Sequence, residues 1–390
     1  MALRDGTIYL DHAATTPAAP EVVAAMLPYM TDHFGNPSSI YALGRDAHLA
    51  LDEAHERVAR VLGCRPTEIV FTGGGSEADN LAIRGLANSA RRRGRHLVTT
   101  AIEHHAVLHT CQDLERDGFT VTYVGVDGSG RVDPHDVARA LRDDTALVSI
   151  MYANNEIGTI QPIAEIARIC RERGVPIHTD AVQAGAFLDL DLKQLGVDLL
   201  TLSAHKFYGP KGIGILFVRQ GTRLRPQVVG GSQERNRRAG TENIPGIVGA
   251  AVALERVAAH RKEENARLAA LRDRLIAALT ALPGARLTGH PTDRLPNSAS
   301  FAFAGIEGES LLLNLDLVGV AASSGSACST GAAEPSHVLT AIGLSPDDAR
   351  GHLRLTLGHS SSDSDVEFVI AQLPDLLARL RQLSTASPLA

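Results

Sequence analysis

Between residues 68 and 218, short apolar runs alternate with amphipathic stretches. The runs at 68–71, 96–100, 119–124, 146–151, 176–179, 198–202 and 213–218 are rich in Val, Ile, Leu and Thr. Such runs read as buried strands. Between them, 77–93 and 162–173 carry helical patterns, and Asp133 followed by Pro134 reads as an N-cap with proline in the first helical position. Strands alternating with helices predict an α/β fold, with a mostly parallel sheet covered on both faces. Beyond residue 246 the pattern changes. The stretch 246–282 predicts a long helix, broken once near His260. Strand-like pieces at 298–303 and 353–357 then mix with helices, 366–383 predicts a closing helix, and 384–390 reads as frayed. This part reads as a second, smaller α+β domain.

Composition narrows the class. A chain of 390 residues suggests two or three domains. The 38 basic and 44 acidic side chains sum to −6, which provides no basic field for a nucleic-acid partner. Hydrophobic residues at 44% exclude a largely disordered chain. With no Trp, 6 Tyr and 9 Phe, the core must be built mostly of Ala, Leu, Val and Ile. Four cysteines make no disulfide framework, which fits a reducing cytosol. No apolar stretch approaches the roughly 18 residues of a membrane span, and no apolar segment follows the charged start. The expectation is a soluble cytoplasmic enzyme.

Five motifs carry the candidate chemistry. In Ser203-Ala-His-Lys206-Phe-Tyr-Gly-Pro-Lys-Gly212, a lysine leaves a strand and enters a Gly/Pro turn. That is where open α/β sheets bind ligands, and a lysine amine there could bond a carbonyl cofactor. Alone, it is more simply a solvated turn lysine. In Pro176-Ile-His-Thr-Asp180-Ala-Val-Gln183, the carboxylate of Asp180 ends a strand. It could keep a pyridinium nitrogen protonated, or simply cap a helix. In Thr72-Gly-Gly-Gly-Ser76-Glu-Ala-Asp79, glycines between strand and helix let N–H groups approach an anion. The plainer alternative has Ser76 capping the helix with Asp79 as a capping-box-like partner. In Glu103-His104-His105-Ala-Val-Leu-His109, the i, i+4 pair raises zinc, but no further ligand sits nearby. An imidazole just past a strand is better placed to stack on a flat ring or move protons. Finally, Ser323–Ala333 has almost no bulky side chain around Cys328. It reads as a loop presenting one thiol, rather than a small buried cysteine. Cys64, Cys111 and Cys170 fall in or beside helical patterns and read as structural.

Together these motifs resemble the cysteine desulfurases of the NifS/IscS type, group I, in the aminotransferase class V superfamily. The resemblance runs from Tyr9-Leu-Asp-His-Ala-Ala-Thr-Thr-Pro17 to about Leu383. It takes in Phe34-Gly-Asn-Pro-Ser38, Asn154-Asn-Glu-Ile-Gly158, the Lys206 run, Arg238-Ala-Gly-Thr241 and the long cysteine loop. It implies a fold-type I enzyme dependent on pyridoxal 5'-phosphate (PLP). A large cofactor-binding α/β domain would span 16–258, and a small α+β domain 1–15 with 259–390. Lys206 would hold the cofactor and shuttle the α-proton, and Asp180 would pair its ring nitrogen. Gln183 would bond the ring oxygen, and His104 would stack on the ring and serve in proton transfer. Gly75, Ser76, Ser203 and His205 would hold the phosphate. Thr241 would reach the phosphate of the other subunit of a homodimer. Asn155 and Arg354 would hold the carboxylate of L-cysteine. Cys328 would take the sulfur as a persulfide, leaving alanine, and pass it to an acceptor protein such as an iron–sulfur scaffold. No metal is implied. Alternatives are a selenocysteine lyase, an aminotransferase, and a sulfur-relay protein without catalysis. Three departures stand out. The phosphate loop reads Gly-Gly-Gly-Ser76 instead of Ser-Gly-Ala-Thr. His359 follows Gly358 where many relatives place Arg, and the tail is short.

Overall fold

The structure is a computed structural model that describes residues 6–90, 94–325 and 335–386. Seven strands form the main sheet: β2 (Ile69–Thr72), β3 (His96–Thr100), β4 (Thr120–Val124), β5 (Thr145–Ser149), β6 (Ile177–Asp180), β7 (Leu199–Ser203) and β8 (Gly214–Val218). Their order is β2-β8-β7-β6-β5-β3-β4. Only β8 is reversed, being antiparallel to both β7 and β2. The other six strands therefore run the same way, and the C-terminal ends of β2, β3, β6 and β7 open on one edge. The mostly parallel sheet expected from the pattern is present, with strand limits differing by a residue or two.

The sheet is buried because successive side chains enter different cores. Val70, Leu97, Leu147, Leu199 and Leu216 pack under the helices Gly75–Ala90 and His105–Arg116. Their neighbours Ile69, Phe71, Val98, Val148, Leu200, Ile215 and Phe217 join the opposite core. That core takes in the helices Ala42–Leu62, Ile163–Glu172 and Ile244–Thr280. Each such side chain contributes about 1.5–3 kcal/mol by burial. With both faces covered, every strand but the edge strand β4 needs no polar face, and this is why they appear as apolar runs in the sequence.

Two small sheets tie the chain's start to its later half. β1 (Ile8–Tyr9) pairs in parallel with β11 (Val320–Ala321), and β10 (Ser298–Phe303) lies antiparallel between β9 (Ala285–Leu287) and β12 (His352–Thr356). Asp11 bridges to Thr356, and the Thr356 hydroxyl accepts from the Ala13 N–H at 2.9 Å. The segment 11–16 thus leaves the small sheets as a strap and crosses to the edge of the large one.

Two expectations need correcting. The helix Ile244–Thr280 runs unbroken for 37 residues through His260. The polar stretch read as a break is a solvent-facing part of the helix: His260, Glu263 and Arg267 are exposed or half-buried, while Leu268, Leu271 and Leu275 return to the core. Ser76 does not cap its helix from outside: it is the second residue of Gly75–Ala90, and Asp79 turns inward, 1% exposed. The Asp133 cap is present, accepting the His135 N–H at 2.8 Å.

Candidate active site

A cavity of about 340 Å³ lies at the common edge of β2, β3, β6 and β7. Gly75, Ser76, His104, Asn155, Asp180, Gln183, Ser203, His205, Lys206 and Arg354 all line it. Residues separated by nearly the whole chain meet there because each ends a strand or lies in the segment that follows one, or, for Arg354, sits on β12.

Lys206 closes a short 3-10 turn after β7. Its Nζ donates to the strap carbonyls of Ala13 at 2.5 Å and Ala14 at 2.8 Å. The same strap holds two more site residues: Gln183 Nε2 donates to Ala13 O at 3.0 Å, and His205 Nδ1 is 3.0 Å from the Thr15 hydroxyl. Asp180 is the last residue of β6 and accepts the Val182 N–H at 2.9 Å. Burial raises its pKa to about 6, partly offset by that bond and by Lys206. His104 caps the helix His105–Arg116, accepting the Ala106 N–H on Nδ1 at 3.1 Å, which leaves the proton of the neutral ring on Nε2. Burial, then the Lys206 charge, pushes its pKa down to about 4, so the ring is neutral at physiological pH. His205 is likewise lowered to about 4, first by burial and then by Lys206.

The glycine run lies over the N-terminus of the helix Gly75–Ala90. Glu77 Oε2 accepts the Gly73 N–H at 2.8 Å, and Arg238 Nε donates to Glu77 Oε1 at 2.9 Å. A Cβ on Gly75 would meet Val182 Cγ2 at 3.0 Å and Ser203 Cβ at 3.2 Å. The helix start is therefore packed as tightly as glycine allows against the end of β7, beside the Ser76 and Ser203 hydroxyls. This donor set suits an anion at a helix N-terminus.

Arg354, 2% exposed, is held on three sides. Nη1 donates to Asn155 O at 2.9 Å and Gly325 O at 3.3 Å, and Nη2 to Asp11 Oδ1 at 2.6 Å, while Nε is left without a partner. Thr241 does not join the cavity of its own chain; it is exposed just ahead of the helix Ile244–Thr280. Cys328 lies outside the described residues. On either side of it, Gly325 and His337 line the cavity, and the Ser336 hydroxyl donates to Glu156 at 2.6 Å. The other three cysteines are poor nucleophiles: burial pushes Cys64, Cys111 and Cys170 up to about 12. His359 pairs with Glu264 at 3.0 Å, away from the cavity. The rings of His105 and His109 stack at 4.9 Å.

Sequence reasoning missed Asp11, Asp79, Glu103 and His337. Asp79 and Glu103 are buried acids on the cavity wall. Glu103 accepts from the Thr100 hydroxyl at 2.6 Å and the Met151 N–H at 3.0 Å, and burial raises its pKa to about 8. Both acids sit inside motifs already singled out. Their inward orientation depends on helix phase and on the packing of β3, which no local pattern reveals.

The cavity fits a flat phosphorylated aldehyde. It offers an amine, a buried carboxylate for a ring nitrogen, a neutral imidazole for a ring face and a cradle of N–H and hydroxyl donors.

Comparison with known proteins agrees with this geometry. The aminotransferase class-V profile matches residues 8–369. Cysteine desulfurase IscS of Methanosarcina thermophila is 52% identical over 381 residues, covering 98% of this chain and 94% of that protein. Among solved structures, a NifS-like protein superposes with TM-score 0.90 at 37% identity, covering 96% of this chain and 100% of that one. A structure described as SspA in complex with cysteine matches with TM-score 0.81 at 40% identity, covering 90% and 99%.

Proposed function

The chain belongs to the aminotransferase class-V family, among its cysteine desulfurases, and we propose that its cavity takes L-cysteine and yields alanine and a Cys328 persulfide. The observation that carries this reading is the convergence of Lys206, Asp180, His104 and Arg354 on one cavity beside a helix N-terminus.

We further propose PLP as the cofactor, held by Lys206 at its aldehyde, Asp180 at the ring nitrogen, Gln183 at the ring oxygen, His104 on the ring face, and Gly75, Ser76, Ser203 and His205 at the phosphate. When bound, that group supplies an electron sink for charge developing at the substrate α-carbon. The rest of the work falls to the chain's own residues. Arg354, with Asn155 beside it, grips the substrate carboxylate; its planar fork suits that group. The strap carbonyls of Ala13 and Ala14 give the Lys206 amine a resting place from which it can take and return the α-proton. His104, neutral and carrying its proton on Nε2, can donate to the substrate side. The Cys328 thiolate takes the substrate sulfur: a sulfur–sulfur bond forms, the carbon–sulfur bond breaks, and the three-carbon product gains a proton. The persulfide then passes to an acceptor protein for iron–sulfur cluster assembly or another thiolation.

Exposed Phe34, Ile40, Tyr41, Leu49 and Val229 support a homodimer, which would also give Thr241 a phosphate to reach across the interface. No helix among the described residues is long and apolar enough to cross a membrane; free, buried Cys111 and Cys170 favour a reducing, cytoplasmic setting.

The test is stoichiometry. With L-cysteine and a thiol reductant, the protein should release alanine and sulfide in equal amounts. Cys328→Ser should release neither while still binding the cofactor. Sulfide release by that variant would remove Cys328 from the reaction. Turnover of selenocysteine alone would reassign the substrate.

A further inference from the structure

The cavity wall holds a second acid with no role in the reaction above. Asp79 projects from the second turn of the helix Gly75–Ala90 and is 1% exposed. One of its oxygens, one of Asp180 and a ring nitrogen of His104 lie within 4.8 Å of one another. Its Oδ1 has no hydrogen-bond partner, and His178 Nε2 is 3.6 Å away. That imidazole is neutral, its nitrogens placed 2.9 Å from the Ser149 hydroxyl and 3.0 Å from the Thr201 hydroxyl.

Two carboxyls this close in a dry wall do not both ionise. The surroundings decide which one keeps the proton. Asp180 receives a backbone N–H and the Lys206 charge, both of which favour its anion. Asp79 has the Thr201 hydroxyl and an orphaned oxygen, and it faces two further acids, Asp180 and Glu103. β2, β5, β7 and β8 carry no titratable side chain. β6 supplies His178 and Asp180, the turn before His105–Arg116 supplies Glu103 and His104, and Lys206 follows β7. The helix His105–Arg116 itself carries His105, His109, Cys111, Asp113, Glu115 and Arg116, of which Asp113 is taken by Arg84.

We infer that Asp79 is a positioning residue that carries a proton beside ionised Asp180, so that the wall presents one negative charge to the ring nitrogen and not two. The functional part of this inference rests on the cofactor reading above; the protonation part does not.

The test compares the full-length protein with Asp79→Asn, which has the same shape and stays neutral. Infrared spectra at neutral pH should show the carbonyl stretch of a protonated carboxylic acid in the wild type that is missing from the variant. Glu103→Gln separates any contribution from that acid. Equilibrium dialysis should find PLP affinity in Asp79→Asn within about threefold of wild type, with an unchanged visible spectrum. A wild-type spectrum with no acid band assignable to Asp79 would overturn the inference. So would a loss of cofactor affinity of about tenfold or more in the variant, since that would mean the anion was needed. If the wild type bound no PLP, the cofactor reading would fall while the infrared comparison still decided the state of Asp79.

Discussion

Burial sets the ionisation of nearly every group on the cavity wall. Glu103 is the plainest case. It is fully enclosed, its pKa is raised from an ordinary 4.5 to about 8, and its accepted bonds from Thr100 and Met151 only partly offset desolvation. A carboxyl whose folded pKa is raised contributes stability in its protonated state, and that contribution is lost as pH rises toward the folded value. Between about pH 5 and 8, each pH unit should therefore cost about 1.4 kcal/mol relative to Glu103→Gln. Urea unfolding of both proteins across that range checks this, and a flat difference would show that Glu103 is ionised throughout. At the same scale, Arg354 shows why a residue's role is not its whole environment. On the proposed reading, a substrate carboxylate would share a guanidinium already paired with Asp11 and two carbonyls.

At the scale of elements, the site depends on how closely strand ends and turns approach. Gly214 begins β8 opposite Ser203 and lies under the glycine run. A Cβ there would fall 2.3 Å from Gly74 O and 2.4 Å from Thr72 Oγ1. Because the first of these is backbone, relief requires moving the loop that leads into Gly75. Gly214→Ala should cost roughly 1–3 kcal/mol in denaturant unfolding and weaken PLP binding in the same protein. Unchanged stability and binding would mean the loop is free to shift. This scale also shows what could be read from the chain. Six of the seven strands were legible because both faces are buried, which leaves apolar runs between turns; the partly exposed edge strand β4 was legible from its Thr, Val and Tyr content alone. Lys206, Asp180 and His104 were legible because each follows or ends such a run. The unbroken helix through His260 was not, because a solvent-facing stretch and a helix break look alike when read locally. Asp79 was not either: its inward orientation is fixed by the packing of its helix on β7 and β8, not by its neighbours in sequence.

Across the whole molecule, the strap 11–16 is the connection that makes the site one object. It is bridged to β12 at Thr356, pairs Asp11 with Arg354, and supplies carbonyls to Lys206 and Gln183. The start of the chain thus joins Arg354 of the later half to the Lys206 amine at the edge of the main sheet. We propose that the large and small domains, 16–258 and 1–15 with 259–390, meet along this strap. The division at 258 passes through a continuous helix and not a linker, which couples the two parts mechanically. The claim on which everything else depends is that the amine of Lys206 is the point of covalent attachment. The full-length protein, supplied with PLP and reduced with borohydride, should carry the cofactor's mass on Lys206, located by fragment masses, and not on Lys193, Lys211 or Lys262. A label on another lysine, or no label on any, would contradict the account.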